Sequence, residues 1–388
     1  MPTPNDILSS LTALPHRAST SDNERRAAEI IADWLRHFGL DPTLKSFRSV
    51  RTYSWELMGI AGLFAIGVAL GPFYPFIGTI LAVLGIWSFW RHFDGHKTLF
   101  SPLIRKHNSQ NVLAAIPPKE EKRQAVVLMA HYDTTRAGLL WAPSMVKNFR
   151  ASFLMNATLG LVTVPWTWLG SLRGSHLWYQ IISAVLLVYF LGQIGIFIQR
   201  ETVHSPVNGA NDNGSGVTAI LKLAEQFAQN PLSNTEIIIA ATGCEEASLD
   251  GARALINEHL ADFDPATTYF LNFDNIGAGT LNYCTGEGML SFWGYNPKLL
   301  NTAQKLTNTT QFSGVETCRY TLAYFDTLPI VKEGYKCITF IGLWEDKSIP
   351  NWHWYTDTIE NIDWSTIDKS IAWGKAFIHK LDESGEQK

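Results

Sequence analysis

Apolar runs of two lengths alternate along this chain, and they predict two kinds of element. The short runs, Gln124 to Ala130 (QAVVLMA), Glu236 to Thr242, Thr268 to Phe273 and Cys337 to Leu343, have the length of single strands. Continuous apolar runs of this size are expected of strands covered on both faces. Other segments repeat their apolar residues at helical spacing: Ala28, Ile31, Leu35 and Phe38 before Gly39, then Val217 to Phe227, Pro297 to Thr307 and Asp363 to Leu381. Residues Asp6 to Phe47 read as helix, loop, helix, with Ser19, Thr20 and Ser21 offering caps and Glu24 in range for a capping box. Strands alternating with helices predict an α/β fold with a mostly parallel sheet covered by helices.

The long runs are of another kind. Leu57 to Trp90 holds no charged residue over about 34 positions, and Pro72 and Pro75 divide it into two arms. Each arm is marginal against the roughly 20 residues a spanning helix needs. After the polar connection His92 to Asn111 and the Gln124 strand, two further uncharged runs follow, Ala151 to Leu172 and Leu177 to Gln199. Buried helices in a large core would read the same way, but Trp166, Trp168 and Trp178 near the run ends fit an interfacial belt. The expectation is two transmembrane helical hairpins, 57–90 and 151–199, inserted into one domain spanning 1–388. Two hairpins make four spans through the bilayer and return the chain to the side it left. On that side lie Lys45, Arg48, Arg51, Arg91, Lys97, Arg105, Lys106, Lys147, Arg150 and Arg200, against Arg173 alone on the other. By the positive-inside rule the folded part and both termini are cytoplasmic. Met1 to Thr20 lacks the basic-then-apolar pattern of a secretory signal.

The apolar runs account for a charged fraction of only 17%. A net charge of −4 gives no reason to expect a nucleic-acid partner. The four cysteines, Cys244, Cys284, Cys318 and Cys337, show no CxxC spacing and read as ordinary thiols in a reducing compartment rather than staples.

Chemistry-bearing residues gather where the short runs stop. The first run ends at His131-Tyr132-Asp133, the second at Glu245-Glu246, the third at Asp274, and His353 follows the fourth. Asp212 sits in a Gly/Asn-rich turn before the Val217 helix. Taken singly, Asp212 reads as a helix cap, the Glu pair as a solvated helix start and His131 as a core histidine. Together, imidazole and carboxylate at successive strand ends suit Zn²⁺, and five such groups suit a pair of ions sharing one carboxylate. Asp133 lies close enough to hold the imidazole of His131 from behind. Glu245, adjacent to a ligand, is placed to take a proton from metal-bound water.

The pieces AHYDTTRAG at 130–138, GANDNGSG at 209–216, GCEE at 243–246, FDNIGAG at 273–279 and HWYTDT at 353–358 resemble, in order, those of the co-catalytic zinc aminopeptidase and glutamate-carboxypeptidase family. The resemblance implies a zinc-exopeptidase-like α/β domain with a mixed, largely parallel central sheet. It implies two Zn²⁺ bridged by Asp212, one completed by His131 and Asp274, the other by Glu246 and His353. Glu245 would be the general base of peptide hydrolysis by metal-bound hydroxide, and Asp133 would orient His131. Asp326, in YFDTLP at 324–329, either shapes the substrate pocket or caps a helix. Some relatives carry a tyrosine before the last histidine to bind the oxyanion; here it is Trp352, and Tyr324 or Tyr355 are candidate substitutes. The hairpins are a second departure. The implied function is a membrane-embedded zinc exopeptidase, an aminopeptidase acting on peptide substrates at the cytoplasmic face. Two alternatives stand beside it: a single-zinc glutaminyl cyclase on the same fold, and a non-catalytic membrane scaffold. A transporter is disfavoured, because the expected spans contain no Asp, Glu, Lys or Arg.

Overall fold

Among the described residues ten strands form in chain order: β1 (Thr43–Ser49), β2 (His107–Ile116), β3 (Gln124–His131), β4 (Thr235–Thr242), β5 (Thr268–Asp274), β6 (Thr280–Cys284), β7 (Gly286–Glu287), β8 (Trp293–Gly294), β9 (Glu316–Cys318) and β10 (Lys336–Leu343). The computed structural model describes residues 1–259 and 262–386. Eight strands make one sheet in the order β1-β2-β4-β3-β5-β10-β6-β9, and β7 with β8 form a separate hairpin. β3 pairs in parallel with both β4 and β5, and β5 in parallel with β10. β1 and β2 run antiparallel at one side, and β6 runs antiparallel to β10. The sheet is therefore mixed with a parallel centre.

The sequence dictates that centre. Every position of β3 and of β5 is buried, as the unbroken apolar runs require. Fully burying a residue such as Phe270 or Phe273 is worth roughly 1.5–3 kcal/mol.

The helices are α1 (Pro4–Thr12), α2 (Asp22–His37), α3 (Ser54–Leu70), α4 (Pro75–Phe93), α5 (Phe149–Arg173), α6 (Leu177–Val203), α7 (Gly216–Gln229), α8 (Glu245–Ser248), α9 (Asp250–His259), α10 (Pro297–Thr307), α11 (Thr327–Lys332) and α12 (Trp364–Glu386). α2 begins at Ser21, whose hydroxyl accepts the Glu24 N–H at 3.1 Å, and Gly39 follows it at φ 83°. α7 turns Val217, Ile220, Leu221, Leu223, Ala224 and Phe227 inward.

The chain divides into two compact units, one of residues 1–51, 106–135 and 206–388, the other of 52–105 and 136–205. The first holds the sheet and its helices. The second is all helical: α3 packs on α4 and α6, and α4 on α5. Stacked rings join its helices, Phe64 on Phe190 at 5.0 Å and Trp166 on Tyr179 at 4.8 Å. Gly170 lets two backbones touch, since a Cβ there would meet the Gly71 carbonyl.

The structure corrects the sequence reading at several places. Of four expected spans, two helices, α4 and α6, are long and apolar enough to cross a membrane. α3 has only 17 residues, and α5, although 25 long, is diluted by Ser152, Asn156, Thr158, Thr163 and Thr167 around Pro165. β1 and β2 lie in stretches read as helix, loop or polar connection. β1 alternates exposed and half-buried positions, so it offers no continuous apolar run.

Candidate active site

The parallel strands β3, β4, β5 and β10 deliver their C-terminal ends to one rim of the sheet, where open α/β sheets carry their sites. His131 is the last residue of β3 and pairs with Thr242, the last of β4. Cys244 then takes a left-handed conformation at φ 56° and turns the chain into Glu245 and Glu246. Asp274 ends β5 and is followed by left-handed Asn275 at φ 52°. His353 itself is left-handed at φ 52°. Left-handed conformations cost a non-glycine residue free energy and persist where the surroundings impose them.

Two ligand groups result. His131, Asp212 and Asp274 each offer an atom within 4.8 Å of the others, and so do Asp212, Glu246 and His353. Asp212 belongs to both. Its Oδ1 lies 3.3 Å from His131 Nε2 and its Oδ2 lies 3.2 Å from His353 Nε2. Asp274 Oδ1 stands 3.6 Å from His131 Nε2, and Glu246 Oε2 stands 3.2 Å from His353 Nε2. Glu245 Oε2 is 3.9 Å from His131 Nε2, and its side chain keeps 12% exposure, more than that of any neighbouring acid.

The turn that carries Asp212 is fixed from all sides. Asp357 accepts the backbone N–H groups of Asn211 and Asp212 at 2.6 and 3.1 Å. Asn213 donates to the Phe273 carbonyl at 2.9 Å and accepts the Asn275 N–H at 3.2 Å, joining the turn to the end of β5. Asn211 donates to the Pro350 carbonyl at 3.0 Å and accepts the Gly277 N–H at 2.7 Å. The Asp212-Asn213 peptide bond is cis. Arg17, fully buried, donates to the carbonyls of Tyr132 (2.7 Å), Asn208 (2.7 Å) and Gly209 (2.8 Å), tying the end of β3 to the same turn.

Asp133 does more than face His131. Its carboxylate accepts the N–H groups of Glu245 (3.0 Å) and Glu246 (3.3 Å) and the hydroxyl of Ser19 (2.6 Å). The acceptor nearest His131 Nδ1 is the Asp133 carbonyl at 3.2 Å, with the carboxylate at 3.5 Å. Asp326 is buried; Oδ2 accepts the Thr242 hydroxyl and Oδ1 has no hydrogen-bond partner. Tyr324 is half-buried. Tyr355 stands on the surface, its ring 5.3 Å from that of Trp354. Trp352 packs 5.0 Å from the His353 ring.

The electrostatics describe a site short of positive charge. Burial, reinforced by Glu246, Asp326 and Asp274, holds the Glu245 carboxyl well above its ordinary range against the pull of His131. Burial likewise lifts Asp326 to about 7 and, with Asp212, lifts Asp357 to about 7. Burial opposes charge on His353, yet Glu246 and Asp212 override it and raise the imidazole to about 9. His131 is raised in the same way by Glu245 and Asp274. Asp212 moves down, because hydrogen bonds from both imidazoles outweigh its burial. Protons are thus drawn to positions that divalent cations would fill. Glu246 Oε1, buried with no hydrogen-bond partner, is an open donor atom toward such an ion. Two imidazoles and three carboxylates are a donor set that suits zinc.

Several residues here escaped the sequence reading. Arg17 and Asp357 carried no signal beyond lying near or within quoted motifs. Tyr320 is buried and stacked on Phe325 at 4.3 Å. Burial raises its phenol, and Asp274, Cys284, Asp212 and Glu245 add to the effect.

Comparison with known proteins agrees with the geometry. Residues 195–376 match the profile of Peptidase family M28. A probable lipoprotein aminopeptidase of Mycobacterium tuberculosis is 28% identical, over 40% of this chain and 36% of that protein's length. Among solved structures, the zinc aminopeptidase BSAP of Bacillus subtilis superposes with a TM-score of 0.60 at 16% identity, covering 97% of this chain and 94% of that one. Glutaminyl cyclase of Porphyromonas gingivalis gives 0.58 at 14% identity, covering 97% and 96%. LapB of Legionella pneumophila gives 0.56 at 15%, covering 98% and 72%. The chain thus carries the Peptidase family M28 profile over residues 195–376 and shares the fold of these solved structures.

Proposed function

We propose that the chain is a membrane-embedded dizinc exopeptidase, an aminopeptidase. The observation that carries this is the shared carboxylate: Asp212 presents one oxygen to His131 and the other to His353. In this reading His131, Asp212 and Asp274 hold one Zn²⁺, and Asp212, Glu246 and His353 the other. The ions supply a Lewis acid that polarises the scissile carbonyl and acidifies water. Glu245 takes the proton from the attacking water and delivers it to the leaving amine. Asp133 sets the position of Glu245 through its backbone N–H and supports His131 from behind. Trp352 has only an indole N–H to offer, so in this reading the buried phenol of Tyr320, whose titration the site's acids raise, supplies the hydrogen bond to the oxyanion. Asp326, buried with one carboxylate oxygen unpartnered, shapes the substrate pocket.

The helical unit forms two membrane hairpins inserted into the peptidase domain. Exposed apolar side chains support this, with Phe73 72%, Leu177 71% and Val188 69% exposed, and only 17% of the α6 apolar window is buried. A core helix of a soluble domain would hide these residues. The basic-residue bias at the run ends supports a peptidase domain on the cytoplasmic side.

The test is zinc content per chain in detergent-purified protein, measured beside chelator-sensitive hydrolysis of aminoacyl amides. Two zincs with hydrolysis support the reading. One zinc with cyclisation of N-terminal glutamine and no hydrolysis would replace it with the glutaminyl cyclase, whose fold the chain also shares. No zinc would leave a scaffold.

A further inference from the structure

β9 is three residues long, polar, and lies at the edge of the sheet, paired with β6 alone. Its register sets Asn282 against Glu316, Tyr283 against Thr317 and Cys284 against Cys318. Registered residues on neighbouring strands share a face, and here the face carries two thiols, 34 residues apart in sequence with Sγ atoms 3.4 Å apart. All four cysteines are free thiols. The other two have different neighbours: Cys244 donates to Glu24 at 3.2 Å, and Cys337 to the Tyr335 carbonyl at 3.6 Å.

We propose that Cys284 and Cys318 are a disulfide-forming pair. Neighbouring strands run about 4.8 Å apart, inside the roughly 4.4–6.8 Å Cα separation that a disulfide spans, so closing the bond asks for side-chain rotation and no new backbone path. Access favours one order of events, because Cys318 is half-buried at the sheet edge while Cys284 is fully buried. A low-molecular-weight disulfide is attacked by the Cys318 thiolate, which forms a mixed disulfide and expels one small thiolate. The Cys284 thiolate then attacks Cys318 Sγ, forms the cystine and expels the second. The two protein thiols lose two protons and two electrons, the reagent is reduced to two thiols, and the expelled thiolates take up the protons.

The bond would act at a three-residue strand on the sheet's edge. Beyond Cys318 the chain runs directly to Tyr320, stacked on Phe325, and to Asp326. Backbone bonds already tie this path down, Thr285 N–H to the Cys318 carbonyl at 2.8 Å and Tyr320 N–H to the Gly286 carbonyl at 3.3 Å. A cystine would make that tether covalent. It would also constrain the unfolded chain by closing a long loop.

The experiment equilibrates the full-length detergent-purified protein with oxidised glutathione, then counts thiols after denaturation and maps peptides. The expected result is a fall from four free thiols to two, with the Cys284 and Cys318 peptides joined and two hydrogens lighter. Cys318→Ser should keep all its remaining thiols, Cys337→Ser should still lose two, and the oxidised parent should melt above the reduced one. Four thiols after equilibration, a cystine at another pair, or glutathione left standing on Cys318 would overturn the proposal. None of these readouts uses peptidase activity, so the pair stands or falls apart from the metal site.

Discussion

The carboxylate of Asp357 lies against the backbone of Asp212, one oxygen on the N–H of Asn211 and the other on that of Asp212 itself. An acid that both ligand groups share is thereby aimed by a second acid acting through the backbone. Asp357→Asn keeps the shape but replaces one acceptor with an N–H₂ facing an N–H. Removing such support commonly costs about 10–100-fold in metal affinity. The expected outcome is a folded protein that gives up zinc at a chelator concentration the parent withstands, read as zinc per chain after dialysis.

Glu245 is the most exposed acid of the cluster, and its backbone is pinned by Asp133. Glu245→Gln should retain zinc and lose about 10²–10⁴-fold in kcat, with KM little changed. Zinc retained together with parental turnover would remove Glu245 from the chemistry.

Tyr320→Phe deletes one hydroxyl and keeps the stack on Phe325. Loss of an oxyanion donor costs on the order of 10²–10³ in kcat. Steady-state kinetics on an aminoacyl amide should show the loss in kcat; unchanged kcat would return the role to Tyr324 or Tyr355.

Arg17 satisfies three carbonyls from a fully buried position. Burial lowers its guanidinium to about 10, with Asp357, Asp133 and Asp212 opposing, so it stays charged at neutral pH. Arg17→Met strands those carbonyls and should destabilise the protein by about 3 kcal/mol or more, seen as a lower urea midpoint. Arg17→Lys restores charge without the planar fork and should recover part of the loss.

Glu287 is buried and accepts from Tyr295 (2.8 Å), Thr327 (2.6 Å) and the Phe325 N–H (2.6 Å). Burial outweighs those donors and lifts its carboxyl from 4.5 to about 7. Between those values the folded chain holds a proton that the unfolded chain has released, so this contribution to stability falls as pH rises from about 4.5 to about 7. Glu287→Gln removes the titration. The melting-temperature advantage of parent over variant should therefore be larger near the acid end of that window than above it.

The sheet centre was legible in the sequence because burial on both faces writes itself as unbroken apolar runs, as in β3 and β5. His131, Glu246 and Asp274 were legible for a related reason, since each sits where such a run stops, whereas Asp212 in its Gly/Asn-rich turn and His353 beyond the last run were legible only beside them. β1 was not, since its half-exposed pairing with β2 leaves no continuous run. Asp357 and Arg17 were silent because a buried charge that holds backbone looks, in sequence, like any surface charge. The helical unit was legible in part: α4 and α6 are long and apolar enough to span, whereas α3 is short and α5 is thinned by its hydroxyl and amide side chains. Cys284 and Cys318 became neighbours only through a register that three polar residues of β9 could not announce.

His131 arrives on β3, the strand that β4 and β5 clasp from either side, while Asp212, Glu246, Asp274 and His353 all lie within 195–376. That stretch expressed alone would own most of the coordinating atoms and lack one imidazole, together with the Arg17 and Asp133 braces. The missing ring enters only when the middle of the sheet closes. A clipped polypeptide of that stretch keeps the group of Asp212, Glu246 and His353 but leaves the group of His131, Asp212 and Asp274 one ring short, so the paired arrangement is a certificate of finished folding that only a whole sheet can issue.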